Sequence, residues 1–246
     1  MTGAGNGKRH ECRWRFRVLS QLALPLKLQD HAVFESFWPA GNEALVAFLS
    51  AIAATGDGPG GWLWGAAASG KTHLLQAVCE TPGDRAVFLP LRDFVDVGPG
   101  ILEGLASRQF ICLDDVDVVA GDADWELGLF NLYNQVSDAD GVLIVSASAT
   151  SRACNFALAD LASRFSRLPA FHVHALDEVE LISALQLRAR HRGLDLPVET
   201  ANFLLTRMKR DMASLYAMLD KLDTEALKAK RRLTVPFVKE VLEQAG

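Results

Sequence analysis

The sequence predicts an α/β fold: a five-stranded parallel sheet built around a phosphate-binding loop, followed by a small all-helical lid domain. Three observations predict it. Gly65-Ala66-Ala67-Ala68-Ser69-Gly70-Lys71-Thr72 reads G-x-x-x-x-G-K-[ST], the P-loop pattern. Short apolar runs alternate with helical patterns up to Leu176, and such alternation implies parallel strands covered on both faces. From Asp177 onward the pattern is helical only. The material for a core is present, since 50% of the 246 residues are hydrophobic.

Residues 1–19 divide in two. Met1 to Gly7 is Gly-rich and reads as a flexible tail. Lys8 to Arg17 is basic with Trp14 and Phe16 interleaved, which suits a solvated tail, a start assigned too far upstream, or contact with nucleic acid. In Gln21-Leu22-Ala23-Leu24-Pro25-Leu26, Pro25 blocks a helix and favours an extended backbone. An extended peptide with one amide and three leucines either fits an apolar groove on a partner or packs on its own domain. After the aromatic stretch holding Phe34, Phe37 and Trp38, Gly41-Asn42 opens a helix to about Ala54, with Asn42 as its N-cap.

The Gly/Pro/Asp loop 55–61 leads into Gly61-Trp62-Leu63-Trp64, a buried strand, then the P-loop, then a helical run from His73 to Val78. Strand, Gly loop, helix is the context that the P-loop pattern requires. The other predicted strands are Ala86–Leu89, Phe110–Leu113, Val142–Val145 and Phe171–His174. Between them the pattern gives short helical pieces at Leu91–Val97 and Ile101–Ala106, broken by Gly98-Pro99-Gly100. It also gives a helix over Asp124–Val136, with Trp125, Leu129, Leu132 and Val136 on one face, and another over Leu158–Phe165. Beyond the boundary near Leu176, Asp177-x-x-Glu180 opens a helix to about Arg192, stopped by Gly193. Further helices run over Val198–Lys209 and from Met212 to about Lys228, and a last one follows Thr234 with Pro236 in its first turn. The domains are therefore 27–176 and 177–246.

The chemistry gathers at the P-loop. Gly65 and Gly70 permit the backbone angles that turn N–H groups towards phosphate, and the following helix adds its positive dipole end. Lys71 can place its ammonium at the β- and γ-phosphates, and Thr72 can bind Mg²⁺. Four apolar residues ending in Asp114-Asp115 read as a Walker B strand, with Asp114 holding Mg²⁺ through water and Asp115 orienting the attacking water; a solvated turn is the plainer reading. Ser146 and Ser148 end the fourth strand, either as γ-phosphate contacts or as turn residues. Arg164 is either an exposed helix-end cation or an arginine finger for a neighbouring subunit. Arg210 stands at a helix start, a poor dipole position for a cation, which favours contact with nucleotide. His172 and His174 share a strand face but lack a third metal ligand, so they read as structural. Lys228 to Arg232 reads as a solvated basic loop.

The net charge of −5 argues against a broad DNA-binding face. Cys12, Cys79, Cys112 and Cys154 show no C-x-x-C spacing and suit a reducing, cytoplasmic setting. No apolar run has the length of a membrane span, and the N-terminal arginines lack the apolar core of a secretory signal.

Together these residues resemble the AAA+ family. Within it they are most similar to the DnaA-related proteins, above all the shortened regulatory inactivators of the Hda type. The resemblance covers about residues 20–246 and is carried by Gln21–Leu26, Phe37-Trp38-Pro39, Gly65–Thr72, Asp114-Asp115, Asp160–Arg164, Arg210-Asp211-Met212 and Thr234–Glu240. It implies that Gln21, Leu22, Leu24, Pro25 and Leu26 bind the DNA polymerase sliding clamp. It implies an adenine pocket at Phe37, Trp38, Gly41 and Asn42, and nucleotide contacts at Gly65, Ser69, Gly70, Lys71, Thr72, Asp114 and Arg210. Ser148 falls at sensor I, Arg210 at sensor II and Arg164 at the arginine finger.

The implied function is a regulatory adaptor. It binds ADP or ATP with Mg²⁺ at Thr72 and Asp114, and docks on the clamp. There it promotes ATP hydrolysis by DnaA and so prevents over-initiation. Self-association is compatible with this, while membrane binding and direct sequence-specific DNA binding are not expected. Two departures from the family pattern, serine at 148 and Asp115 in place of glutamate, imply weak or absent ATPase activity of its own. The sequence stops at Gly246 without the helix-turn-helix domain that the initiator carries, which favours a regulator. The alternative is an autonomous AAA+ ATPase such as a helicase loader.

Overall fold

The computed structural model describes residues 32–208 and 212–243. The basic tail, the Gln21–Leu26 peptide and Arg210 lie outside the described residues. Five strands, β1 (Gly61–Trp64), β2 (Ala86–Pro90), β3 (Phe110–Asp114), β4 (Val142–Ala147) and β5 (Ala170–His172), form one sheet in the order β2-β3-β4-β1-β5. Every pairing is parallel. The helices of this part are α1 (Glu43–Thr55), α2 (Lys71–Glu80), α3 (Ala123–Asp138) and α4 (Ala159–Phe165).

Alternation along the strands assigns the two faces. Leu63, Phe110, Cys112, Val142 and Ile144 pack with Leu45, Leu49, Leu74, Leu75 and Val78 of α1 and α2. Trp62, Ile111, Leu113, Leu143 and Val145 pack on the other face with Trp125, Leu129 and Leu132 of α3 and Leu161 and Phe165 of α4. Strands buried on both faces must be apolar nearly throughout, which is why they stand out as short continuous runs. β4 lies between β1 and β3, so the residues at its carboxyl end stand between the P-loop and the Asp114-Asp115 pair.

The remaining helices, α5 (Glu178–His191), α6 (Val198–Arg207), α7 (Met212–Ala229) and α8 (Val235–Glu243), share their own core around Leu185, Leu204, Leu219, Leu222 and Val238. Asp177 and Glu180 form the capping box expected at the start of α5, each side chain accepting the other's backbone N–H at 2.8 Å.

Three expectations need correction. The short helical pieces expected at Leu91–Val97 and Ile101–Ala106 are 3₁₀ rather than α-helical and are shorter, at Leu91–Asp93, Pro99–Leu102 and Leu105–Ser107. Gly98 at φ 91° and Gly104 at φ 79° interrupt the segment. The fifth strand ends at His172 rather than His174, because the His174 N–H donates to the Asn42 side chain at 2.9 Å. Asn42 precedes α1 but does not cap it; its amide nitrogen instead donates to the His174 carbonyl at 3.2 Å.

Candidate functional site

The P-loop turns out of β1 with Ala68 at φ 60° and Gly70 at φ 101°, and α2 begins at Lys71. A Cβ on Gly70 would stand 2.8 Å from the Phe37 ring, so glycine is required here by both its angle and its neighbour. Lys71 is almost buried, and its Nζ donates to the Gly65 and Ala66 carbonyls, each at 2.9 Å. The ammonium therefore points back across the mouth of its own loop.

Thr72 Oγ1 donates to Asp114 Oδ2 at 2.6 Å, and Ser146 Oγ donates to Asp114 Oδ1. The same Ser146 oxygen accepts the Asp115 N–H at 3.0 Å. Burial pushes the Asp114 carboxyl above its ordinary range, the Ser146 and Thr72 hydroxyls draw it down, and the neighbouring Asp115 charge pushes it up again. Asp115 itself adopts a left-handed backbone at φ 56° and accepts from Arg92 Nε at 2.9 Å. That bond holds the Arg92 guanidinium above its usual pKa. Ser148 donates to Asp117 Oδ2 through both its hydroxyl and its N–H, the latter at 3.1 Å.

These groups open on a cavity of about 550 Å³, a size suited to a small ligand. One wall is residues 67–72, with His73 and Gln76 of α2; Arg92, Asp115 and Ser148 also line it. The lid contributes Arg188 of α5 and Met212 and Tyr216 of α7. The buried Arg188 guanidinium stands 4.2 Å from the centre of the Tyr216 ring, a cation–π distance. Burial raises the Tyr216 hydroxyl to about 12. His73 Nε2 is 3.0 Å from the Val33 carbonyl, which can only accept, so this nitrogen carries the proton. Burial lowers the His73 pKa to about 4, opposed by the Val33 bond and assisted by the Arg188 charge.

Of the residues singled out from the sequence, Ser69, Gly70, Lys71, Thr72, Asp115 and Ser148 line this cavity, with Gly65 and Asp114 bonded to its lysine and threonine. Phe37, Trp38, Gly41 and Asn42 do not line it. Phe37 roofs Gly70 and lies 5.4 Å from the His73 ring, Trp38 is half-buried, Gly41 is exposed, and Asn42 is bound to His174. Arg164 stands outside the lining, half-buried on α4, its guanidinium 5.8 Å from the Tyr133 ring centre. His172 packs against Trp64 at 4.3 Å and His174 at 4.5 Å, and no metal-holding group occurs among the described residues.

Sequence reasoning missed Arg92, Asp117, His73, Gln76, Arg188 and Tyr216. Arg188 had a signal: it falls on the stripe Leu181, Ala184, Leu185, Ala189, where a cation interrupts the buried face of α5. Arg92 and Asp117 had none, because their partners are set by the sheet order.

Residues 177–242 match the family described as Hda, lid domain. The fold is similar to domain III of the replication initiation protein DnaA of Thermotoga maritima, with a TM-score of 0.69 at 20% identity, covering 87% of this chain and 96% of that one. It is also similar to AMPPCP-bound DnaA from Aquifex aeolicus, with a TM-score of 0.64 at 19% identity over 82% of this chain and 68% of that one. The Thermotoga maritima RuvB Holliday junction branch migration motor matches with a TM-score of 0.57 at 17% identity, over 82% and 67% of the two chains. At these identities the structural likeness is one of fold. Among the described residues, no helix is long and apolar enough to cross a membrane.

Proposed function

From the match of residues 177–242 to the Hda lid family and a fold similar to domain III of DnaA, we propose that this chain is an Hda-like regulatory adaptor of replication initiation. It binds an adenine nucleotide in the cavity between P-loop and lid, docks on the DNA polymerase sliding clamp through Gln21–Leu26, and supplies Arg164 in trans to promote ATP hydrolysis by DnaA. The observation that carries the reading is an Hda-type lid closing over a P-loop cavity from which Arg164 is absent. A cation outside its own nucleotide cavity is available to another protein's nucleotide.

The donor set fits the nucleotide. Ser69 Oγ is buried and has no hydrogen-bond partner among the described residues, as expected of a hydroxyl lining a phosphate cradle. Lys71 can exchange its two carbonyl partners for phosphate oxygens. Thr72 and Asp114 offer a hydroxyl and a carboxylate oxygen suited to Mg²⁺, which when bound offsets charge on the β- and γ-phosphates. Arg210 and the expected adenine-pocket residues belong to the same reading. Asp115 is paired with Arg92 and Ser148 with Asp117, which favours weak hydrolysis at this chain's own site. On the partner, Arg164 would stabilise the charge that develops as the γ-phosphate leaves. Such a protein acts in the bacterial cytoplasm.

The experiment is single-turnover hydrolysis of ATP preloaded on DnaA, with this chain and clamp-loaded DNA. Acceleration that needs both the clamp and this chain is expected. Truncating Leu24 and Leu26 to alanine should reduce clamp affinity at least about tenfold, given roughly 1.5–3 kcal/mol per buried leucine before association costs. No acceleration by the intact chain would sink the adaptor. The complete Thr72–Asp114 pair favours a second reading, an autonomous ATPase, which steady-state turnover by the chain alone would support.

A further inference from the structure

Glu126 is a carboxylate with no solvent exposure, and it lies outside the nucleotide cavity. It belongs to the first turns of α3, whose own start is capped by Asp122. Its oxygens bind the turn ahead of α3 and the chain that starts α4. Oε1 accepts the Gly121 N–H at 2.6 Å and the Ala157 N–H at 3.0 Å, and Oε2 accepts the Leu158 N–H at 2.6 Å. Leu158 is the residue from which α4 begins, and its side chain has no oxygen with which to cap. The start of α4 therefore takes its polar partner from another helix, through charge-assisted bonds of the stronger kind.

The far end of α4 returns to the same helix. Tyr133 lies seven residues after Glu126, two turns along α3 and on the same face. Its ring is 5.8 Å from the Arg164 guanidinium and 6.4 Å from the Phe165 ring. From Leu158 to Arg164 is about 9 Å at 1.5 Å per residue. A helix of seven residues does not fix its own orientation, and Arg164 ends a long side chain. A displacement of 1 Å can cost about a hundredfold in rate where a charged group must meet a transition state.

We infer that Glu126 is a positioning residue for Arg164. Held at its start by Glu126 and at its end by Tyr133, α4 presents the guanidinium to a nucleoside triphosphate on a partner protein in one orientation. The inference rests on the proposed trans role of Arg164. It assigns Glu126 no contact with nucleotide.

The test compares Glu126→Gln with the intact chain and with Arg164→Ala, at rising concentrations, in single-turnover hydrolysis of ATP on DnaA with clamp-loaded DNA. Glutamine keeps the shape but turns an amide nitrogen towards one of the N–H groups. The expected result is a maximal rate at least about tenfold lower, with half-saturating concentration and the chain's own nucleotide affinity within about twofold, since orientation is lost and binding is not. A purely structural role would lower the amount of active protein, shifting the melting temperature and half-saturation with nucleotide affinity. That pattern, or an unchanged maximal rate, overturns the inference. Tyr133→Leu acts from the other end without disturbing the buried carboxylate. It should lower the maximal rate severalfold, and if Glu126→Gln fails to fold, an unchanged rate for Tyr133→Leu overturns the inference instead. Full stimulation by Arg164→Ala would overturn the trans role itself and the inference with it. Loss in Arg164→Ala beside a normal Glu126→Gln overturns the inference alone.

Discussion

Lys71 and Arg164 are both cations on helices of ten residues or fewer, and they are held in opposite ways. Lys71 is held from within its own motif, by carbonyls five and six positions back along the chain. Arg164 is held from without: α4 has no side-chain cap of its own, and its two ends lean on Glu126 and Tyr133 of α3. The phosphate cradle is thus a local structure that travels with eight consecutive residues. The α4 cation is a tertiary structure, and its position depends on Glu126 and Tyr133, 38 and 31 positions away in another element. A site of the first kind should tolerate change elsewhere in the molecule, and one of the second kind should not.

The sharpest way to separate the two cations is to delete each. Arg164→Ala should reduce stimulated hydrolysis on DnaA by about 10³-fold or more while leaving this chain's own nucleotide affinity within about twofold. Single-turnover kinetics and calorimetry read the two quantities; a loss of own affinity would mean that the sites are not separate.

A smaller effect concerns stability around the P-loop. His73 has its pKa lowered from 6.5 to about 4, so the unfolded chain binds a proton in that interval that the folded chain refuses. Stability is flat above pH 6.5 and falls as the pH drops towards 4, by up to about 3 kcal/mol. His73→Gln, which keeps a donor for the Val33 carbonyl, should flatten melting temperature against pH over that range. An unchanged slope would remove His73 from the linkage.

Lys71→Ala should weaken nucleotide binding roughly tenfold to a hundredfold, the worth of one charged hydrogen bond, with stimulation reduced only as far as it needs nucleotide. Calorimetry that finds affinity unchanged would break the cradle reading. The smallest effect is expected of Arg92→Ala. Its partner Asp115 is about 29% exposed, Arg92 itself 68%, and such pairs contribute little, so the melting temperature should move by no more than about 2 °C. A large fall would show that the pair organises the cavity.

The same contrast explains what could be read from the sequence. The P-loop, the β3 run ending in Asp114 and the Asp177–Glu180 box are short-range patterns, and each stands where its spacing implies. The strands are legible because burial on both faces makes them apolar throughout. Asn42 looks like an N-cap from its neighbours, but its amide finds better partners 132 positions away in the backbone of His174. Arg92, Asp117 and Glu126 gain their roles from the order in which strands and helices lie together, and local spacing carries no trace of that order. Between β2 and β3 the apolar residues are frequent enough to suggest helix, yet only short 3₁₀ segments form there, separated by Gly98 and Gly104 at positive φ.

The Asn42–His174 pair has a mechanical side. One side-chain amide both gives to and takes from the backbone of one residue, as a neighbouring strand would, and so staples the chain just before α1 to the chain just after β5. The whole α/β layer hangs between these two points. A pull on the segment ahead of α1 meets the Val33–His73 bond and the Phe37 ring over Gly70 before it reaches this staple. The segment ahead of α1 is thereby tied at once to the phosphate loop and to the chain that leads into the lid.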